Sequence, residues 1–324
     1  MLIIRESDIA TVLPMRDVIG AVEDAFVAHA RGEAHFPLRA AVFTAAGLLG
    51  SMPGVINRAA EPVFGAKLVT FFRNNAARSL HTHHAVIALF SAETGVPIAL
   101  LDGRYITEVR TAAASAVATR ALARKGPVAL AIIGTGVQAR SHVKALADAV
   151  PIEEVRVWGR SASHSEGVTK FARECGLRAR TAASVEEACR EAAVICTVTA
   201  STEPVVDVSH VESGAHVNAV GACTPNAREL SAALVARARI FADSLEGALS
   251  EAGDIILAIR DGALPVRPDI SLLGHVLNGA VPGRRDVREI TLFESLGVAI
   301  EDLACAALAY DRARTAGLGI TVEL

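Results

Sequence analysis

The 324-residue sequence predicts an α/β protein in which a doubly wound parallel domain is inserted into a smaller α+β domain. Three observations lead to this fold class. Short strand-like runs follow one another over residues 36–101, which is typical of an antiparallel sheet. From residue 128 onwards, short apolar strands alternate with helices of about twelve residues, which is the pattern of a parallel sheet. A last helical segment, residues 292–317, is expected to return to the first domain.

The first helix is predicted between Ser7 and Gly32, with Ser7 and Asp8 as candidate N-caps. Its apolar residues recur at helical spacing, at Val18, Ile19, Val22, Ala25 and Phe26. The strand-like runs that follow read LRAAVFTA, LLGSMPGV, FGAKLVTFF and HAVIALFSAETGVPIALL, the last being a hairpin through SAETG. An alanine-rich helix over residues 105–124 then leads into the parallel part.

Domain boundaries follow from this order of elements. We assign residues 1–119 and 304–324 to the first domain and residues 120–303 to the second.

Composition excludes several classes of protein. Hydrophobic residues make up 52% and charged residues 21% of the chain, and the net charge is −3, so nothing indicates a nucleic-acid or acidic-membrane partner. The five cysteines form no CxxC pair, which argues against a metal site and a disulfide framework. The N-terminus lacks the features of a secretory signal, and no apolar run has the roughly 18 residues that span a bilayer. We therefore predict a soluble, cytoplasmic protein.

A glycine-rich loop opens the parallel part. The stretch AIIGTGVQA places Gly134, Gly136 and Ala139 directly after an apolar strand and at the start of a helix, with Val137 and Gln138 in its first turn. This context is typical of a Rossmann-type loop, in which the glycines allow a tight turn and close approach of a pyrophosphate. The helix N-terminus supplies N–H groups for the phosphates. An ordinary βα turn with two glycines is the alternative.

The end of the next strand bears on the choice of cofactor. A site for NAD usually has Asp or Glu here to bind the ribose 2′-OH, but this chain has Gly159, Arg160 and Ser161. An arginine and a hydroxyl suit a 2′-phosphate, so NADP is preferred, with NAD possible. The alternative is a solvated arginine on a loop.

Five stretches together resemble the family of ornithine cyclodeaminase and mu-crystallin, which also includes archaeal alanine dehydrogenases and ketimine or pyrroline-carboxylate reductases. They are FGAKLVTFF, LDGRYITEVRTAAASAVAT, IIGTGVQA, VNAVGACTPNAREL and TLFESLGVAIEDLA. The resemblance covers about residues 39 to 303 in family order. It implies a homodimer whose first, substrate-binding domains pair through their sheets, with a Rossmann domain on each flank. It also implies an active site between the domains, facing the nicotinamide.

Three basic residues match substrate positions of the family. By resemblance, Arg39 and Arg110 hold an amino-acid carboxylate, and Lys67 contacts that carboxylate and is a candidate proton donor. The chemistry needs such groups, because a bidentate arginine fixes the plane of a carboxylate and a lysine beside other cations has a lowered pKa. Without the motif match, Arg39 and Lys67 would be interpreted as surface charges.

Four further positions resemble the surroundings of the cofactor and the reacting centre. Thr82 and His83 belong to LHTHHAVIALF, and Thr199 and Ser295 follow later strands. His83 is a candidate hydrogen-bond donor, with a packed strand histidine as the alternative. A metal site at His81 and His83 lacks an acidic or cysteine partner nearby.

Cys223 marks a departure from the cyclodeaminases, which carry an aspartate base at this position. A thiol cannot replace an ionised carboxylate at neutral pH, so Cys223, like Met52, is predicted to form part of the substrate-site wall. We therefore predict NADPH-dependent reduction of a ketimine carboxylate. The alternatives are an NAD-dependent ornithine cyclodeaminase, an alanine-type dehydrogenase and a non-catalytic, crystallin-like binding protein.

Overall fold

Two units make up the fold in the computed structural model, which describes residues 1–57 and 61–323. Met1–Arg110 and Gly297–Leu324 form the first unit, and Thr111–Leu296 form the second. The second unit is thus inserted into the first, and the predicted fold class is confirmed. Both boundaries lie earlier than residues 119 and 303, where the sequence placed them. The second differs because Ala299–Thr315 is one continuous helix that packs on the sheet of the first unit.

The chain has strands and helices in the following order. The strands are β1 (Leu2–Ile4), β2 (Ala34–His35), β3 (Ala40–Phe43), β4 (Leu48–Ile56), β5 (Val63–Phe71), β6 (His83–Phe90), β7 (Pro97–Asp102), β8 (Val128–Ile133), β9 (Ile152–Trp158), β10 (Ala179–Thr181), β11 (Val194–Thr197), β12 (His216–Ala219), β13 (Arg239–Ala242), β14 (Ile270–Leu272), β15 (Thr291–Glu294) and β16 (Ile320–Thr321). The α-helices are α1 (Glu6–Val12), α2 (Met15–Ala30), α3 (Gly103–Leu122), α4 (Val137–Ala149), α5 (Ala162–Glu174), α6 (Val185–Cys189), α7 (Ala232–Arg237), α8 (Leu245–Ser250), α9 (Gly253–Arg260), α10 (Leu273–Leu277) and α11 (Ala299–Thr315). Short 3₁₀ helices lie at Arg73–Arg78 and Val208–His210.

The sheet of the first unit runs in the order β16-β1-β7-β6-β5-β4-β2, with β3 beside β4. All pairs except β1–β7 are antiparallel, as the strand-like runs predicted. Helix α11 packs on β4, β5 and β6 and also against α2. Side chains alternate between the two faces of a strand, so every second residue of these strands faces the helices. Lys67 is one of these residues, and its side chain is buried.

The N-terminal segment differs from the single predicted helix. Pro14 separates α1 from α2, because proline has no N–H to donate and its ring disfavours helical geometry in the preceding residue. Ser7 and Asp8 lie inside α1, so neither is its N-cap. At the other end of the chain, a helix was predicted over residues 292–317, but it begins only at Ala299. Residues 292–294 belong to β15 instead.

The sheet of the second unit is fully parallel and has the order β10-β9-β8-β11-β12-β15-β13-β14. From β8 the chain first builds outward through β9 and β10, and then returns to add β11 on the other side. The strand order therefore reverses between β8 and β11. In doubly wound sheets, ligands bind at this point, beyond the carboxyl ends of the strands.

Within residues 1–57 and 61–323, no helix has both the length and the apolar character needed to cross a membrane.

Candidate functional site

A buried charge cluster lies in the first unit. Nζ of Lys67, on β5, is 2.5 Å from Oδ2 of Asp302 on α11. Arg110, on α3, binds both acids of α11, with Nε 3.1 Å from Oδ1 of Asp302 and Nη1 3.2 Å from Oε2 of Glu301. All four side chains are buried. The structure thus brings together Lys67 and Arg110, which the resemblance assigned to one substrate carboxylate.

Local structure explains how these charges meet. Gly297 precedes α11 with φ of +77°, and a Cβ at this position would lie against the guanidinium of Arg110. Glycine is therefore required both by the left-handed backbone and by the space. The backbone N–H of Val298 donates to Oε1 of Glu301 at 2.9 Å, so Glu301 caps its own helix while its other oxygen binds Arg110.

The pKa values of the cluster follow from burial and pairing. Burial and, to a smaller extent, the charges of Arg110 and Arg39 lower the pKa of Lys67 to about 8, although Asp302 acts in the opposite direction. Burial alone would raise the pKa of Asp302, but the neighbouring Arg110 and Lys67 hold it below its usual value. At neutral pH, Lys67 is therefore protonated and Asp302 ionised, with Lys67 a stronger acid than an ordinary lysine.

The other predicted residues of the first unit surround this cluster. Met52 is buried on β4, directly opposite Lys67 in the strand register. Arg39, half-buried before β3, acts electrostatically on Lys67. Thr82 is half-buried and accepts a backbone hydrogen bond from Phe72.

His83, the first residue of β6, has its pKa lowered to about 4 by burial and by nearby cations, first of all Lys67. Its ring is therefore neutral at physiological pH. Nε2 is buried and has no hydrogen-bond partner among the described residues. A neutral ring nitrogen next to the cluster can donate or accept one hydrogen bond to a ligand.

Charge balance indicates what the cluster can bind. Lys67, Arg110 and Arg39 bring three positive charges against the carboxylates of Asp302 and Glu301. Lys67 and Arg110 thus stand as cations within the cluster, and a small carboxylate is the kind of ligand that such cations bind. Among the described residues, no group of three or more His, Cys, Asp or Glu side chains is placed to hold a metal ion.

Asp302 and Glu301 are site residues that the sequence reasoning missed. Both lie in AIEDLACAALA, where every neighbour is apolar. Adjacent acids in an otherwise apolar helix are costly to bury without partners, and this was the available signal.

The glycine loop of the second unit has the features of a pyrophosphate site. Gly134 has φ of +130°, and a Cβ there would lie 2.6 Å from the carbonyl oxygen of Val198. Nothing lies within 4 Å of a Cβ at Gly136, so the backbone is open to a ligand. Helix α4 starts at Val137 without a side-chain N-cap, and Ala139 is fully buried. The residues present therefore fit a dinucleotide.

Two polar contacts continue from this loop. Oε1 of Gln138 is buried without a partner among the described residues, while its backbone carbonyl lies 2.8 Å from Nδ1 of His142. Nε2 of His142 lies 2.9 Å from Oγ of Ser115, and this contact ties α4 to α3 within the second unit.

The loop after β9 carries the residues predicted to select the cofactor. Arg160 is exposed, and Ser161 is the N-cap of α5. A Cβ at Gly159 would lie 2.5 Å from Cγ2 of Thr135, so an acidic side chain does not fit there unless Thr135 moves.

Three more predicted positions lie beyond the carboxyl ends of neighbouring strands. Thr199 follows β11, Cys223 follows β12 and Ser295 follows β15. Sγ of Cys223 lies 3.2 Å from the carbonyl oxygen of Val220, and Oγ of Ser295 is buried without a partner among the described residues. These strand ends are where a doubly wound sheet binds its ligand.

Comparison with known proteins decides the family. The profile of the ornithine cyclodeaminase/mu-crystallin family matches residues 1–317. The chain belongs to this family. Ketimine reductase mu-crystallin from Mus musculus is 41% identical over 265 residues, which are 82% of this chain and 80% of that protein.

Two solved structures of the family are closely similar. Thermococcus litoralis Delta(1)-pyrroline-2-carboxylate reductase, in complex with NADH and L-proline, has a TM-score of 0.95 at 35% identity, covering 99% of this chain and 100% of that one. An archaeal alanine dehydrogenase dimer with bound NAD has a TM-score of 0.94 at 32% identity, covering 100% and 99%.

Membership of the ornithine cyclodeaminase/mu-crystallin family confirms the resemblance stated from the sequence. The chain is an NAD(P)-dependent oxidoreductase that uses a nicotinamide cofactor and a small-molecule substrate. The roles of individual residues stay predictions.

Proposed function

We propose that this protein uses NADPH to reduce a ketimine carboxylate to the corresponding L-amino acid, with Δ1-pyrroline-2-carboxylate and Δ1-piperideine-2-carboxylate as candidate substrates. The observation that carries the proposal is the buried cluster of Lys67, Arg110 and Asp302, which combines carboxylate-binding cations with an acidic lysine. Two of the relatives named above are a ketimine reductase and a pyrroline-2-carboxylate reductase, which supports the same chemistry.

Substrate binding is the task of the cations. Arg110 uses Nε and Nη1 for Asp302 and Glu301, which fixes its guanidinium plane. A guanidinium has five N–H donors, more than these two bonds use, so it can also hold a substrate carboxylate. Arg39 adds a second cation on the same cluster. Fixing the carboxylate orients the imine carbon for reaction.

Proton delivery is the task of Lys67. The reduced nicotinamide, when bound, supplies the hydride that the imine carbon accepts. The imine nitrogen needs one proton, which Nζ of Lys67 can give because its pKa is about 8. The C=N bond then becomes CH–NH, and Lys67 regains its proton from water. Asp302 keeps Nζ in place at 2.5 Å throughout.

Cys223 supports reduction over cyclodeamination. Its half-buried thiol lies at the end of β12, and no carboxylate occupies that position to act as a base. Hydride transfer to an imine needs no such base, whereas the family's cyclodeaminases carry aspartate there.

A substrate panel tests the proposal. Purified protein is mixed with NADPH and each ketimine, and NADPH oxidation and the L-amino acid product are measured from pH 5 to 9. We expect turnover with at least one ketimine and no added ammonia. Consumption of NADPH only with pyruvate plus ammonia would instead show an alanine-type dehydrogenase. Ammonia release from L-ornithine with catalytic NAD would show a cyclodeaminase, and cofactor binding without turnover would show a binding protein.

The preference for NADPH is predicted to depend on Arg160. Changing Arg160 to alanine should raise KM for NADPH about tenfold or more, because a charge-assisted hydrogen bond to the 2′-phosphate is lost. KM for NADH should change little. The comparison of both cofactors with wild-type and variant protein measures this effect. An equal change for both cofactors, or a wild-type preference for NADH, contradicts the assignment.

A homodimer is proposed from the outer face of the first unit's sheet. Leu49, Phe64, Leu68 and Val86 lie on three neighbouring strands and are each more than 40% exposed. Apolar patches of this kind usually mark a contact surface. Changing Leu68 to aspartate should yield monomers in sedimentation velocity, whereas the same change at Leu245, an equally exposed leucine of the second unit, should not. A wild-type monomer would contradict the proposal.

A further inference from the structure

A buried carboxylate of the second unit joins two neighbouring loops. Thr199 and Gly221 stand two residues beyond the ends of β11 and β12, whose last residues are paired in the sheet. Glu229 lies between them, with Oε1 accepting from the backbone N–H of Thr199 at 2.6 Å and Oε2 from that of Gly221 at 2.7 Å. The side chain is fully buried. One carboxylate therefore sets the distance between the two strand ends.

The fit around this carboxylate is close. A Cβ on Gly221 would lie 2.7 Å from Oε2 of Glu229 and against the carbonyl oxygen of Thr199. The backbone at Gly221 is not in the left-handed region, so glycine is required there only because a side chain would not fit. The two loops are thus held in direct contact through Glu229.

Glu229 is itself fixed through its own backbone. Its N–H donates to Oδ1 of Asp254 on α9 at 2.9 Å, and the same oxygen accepts from Leu230 at 2.7 Å. Its carbonyl oxygen accepts from Val205 at 2.7 Å and from Val206 at 3.0 Å. The residue is therefore a rigid support to which the loop after β11 is attached at two points.

We propose that Glu229 is a positioning residue for the nicotinamide half of the cofactor, because its carboxylate sets the spacing of the loops that carry Thr199 and Cys223. The inference rests on the proposed function in that these two residues are taken to line the nicotinamide site. Glu229 takes no part in hydride or proton transfer.

Changing Glu229 to glutamine tests this role, because the amide keeps the volume and only one acceptor oxygen. One backbone N–H then faces an NH₂ group, and the loops must separate. We expect kcat to fall roughly 10- to 100-fold, since small misplacements of reacting groups cost rates of this size. Affinity for NADPH should fall about tenfold. Affinity for 2′,5′-ADP, the adenosine half alone, should stay within about twofold of wild type.

Two further variants complete the experiment. Glu212→Gln is the matched control. Oε1 of Glu212, which precedes β12, accepts a hydrogen bond at 3.0 Å from the backbone N–H of Glu191, which precedes β11. This contact lies at the amino ends of the same two strands. This variant should leave the affinity for NADPH, the affinity for 2′,5′-ADP and the turnover unchanged. Gly221→Ala pushes the loop after β12 away from Thr199 and Glu229 while residue 229 remains a glutamate, and should reproduce the Glu229→Gln defect.

The binding measurements separate this inference from the proposed function. NADPH and 2′,5′-ADP titrations need no imine, so they stand even if the substrate panel finds no ketimine turnover. If Glu229→Gln and Gly221→Ala lose affinity for NADPH and for 2′,5′-ADP equally, the role of Glu229 is a general structural one and the inference is overturned. Unchanged NADPH affinity and unchanged turnover in both variants would overturn it as well.

Discussion

Changing Lys67 to methionine is expected to lower kcat/KM for the ketimine about a thousandfold, the size of effect seen when a general acid is removed. Methionine keeps most of the side-chain volume but has no proton to give. It also leaves Asp302, whose Oδ2 lies 2.5 Å from Nζ in the wild type, without its lysine partner. Steady-state kinetics with saturating NADPH measures the loss. The affinity for NADPH should remain that of wild type, because the residues assigned to the cofactor lie mainly in the second unit.

The pH profile identifies the role of Lys67. In the wild type, kcat/KM should fall about tenfold per pH unit above a pKa of about 8, since only protonated Lys67 can supply the proton. Lys67→Arg should lose activity and also this alkaline limb, because an arginine stays protonated throughout. Lys170→Met, which changes an exposed lysine, is the control and should leave the profile unchanged. A wild-type profile that is flat from pH 7 to 10 would contradict the role of proton donor.

Changing Asp302 to asparagine should weaken the site in two ways at once. The carboxylate raises the pKa of Lys67 by its charge and its hydrogen bond, so its removal should move the alkaline limb about one unit or more towards lower pH. Arg110 loses one of its two acidic partners, and KM for the ketimine should rise. Breaking a buried ion pair also costs about 3–5 kcal/mol in the free energy of unfolding. Denaturant titration and pH-dependent kinetics measure these effects.

Asp311→Asn is the matched control on the same helix. Asp311 is exposed and pairs only loosely with Arg314, at 3.8 Å, so stability and pH profile should both stay near wild type. If Asp302→Asn keeps the alkaline limb at its wild-type position, Asp302 does not set the pKa of Lys67.

Local patterns made the second unit predictable. Gly134, Gly136 and Ala139 stand between a strand and a helix, and that order of elements is visible within about a dozen residues. The same holds for Gly159 and Arg160 at the end of the next strand. By contrast, the broken N-terminal helix was missed although Pro14 stood in the pattern, because the apolar spacing on both sides of it is helical.

The sequence by itself therefore determined the fold class and the family, and it predicted Lys67, Arg110 and the glycine loop as parts of the site. Only the tertiary structure decided how the charges are paired. Asp302 stands 235 residues from Lys67 and 192 from Arg110, and sequence periodicity shows that a helix face is buried without showing which charge it meets. Burial makes that pairing obligatory, because an unpaired charge in the interior would destabilise the folded state by more free energy than the fold can tolerate.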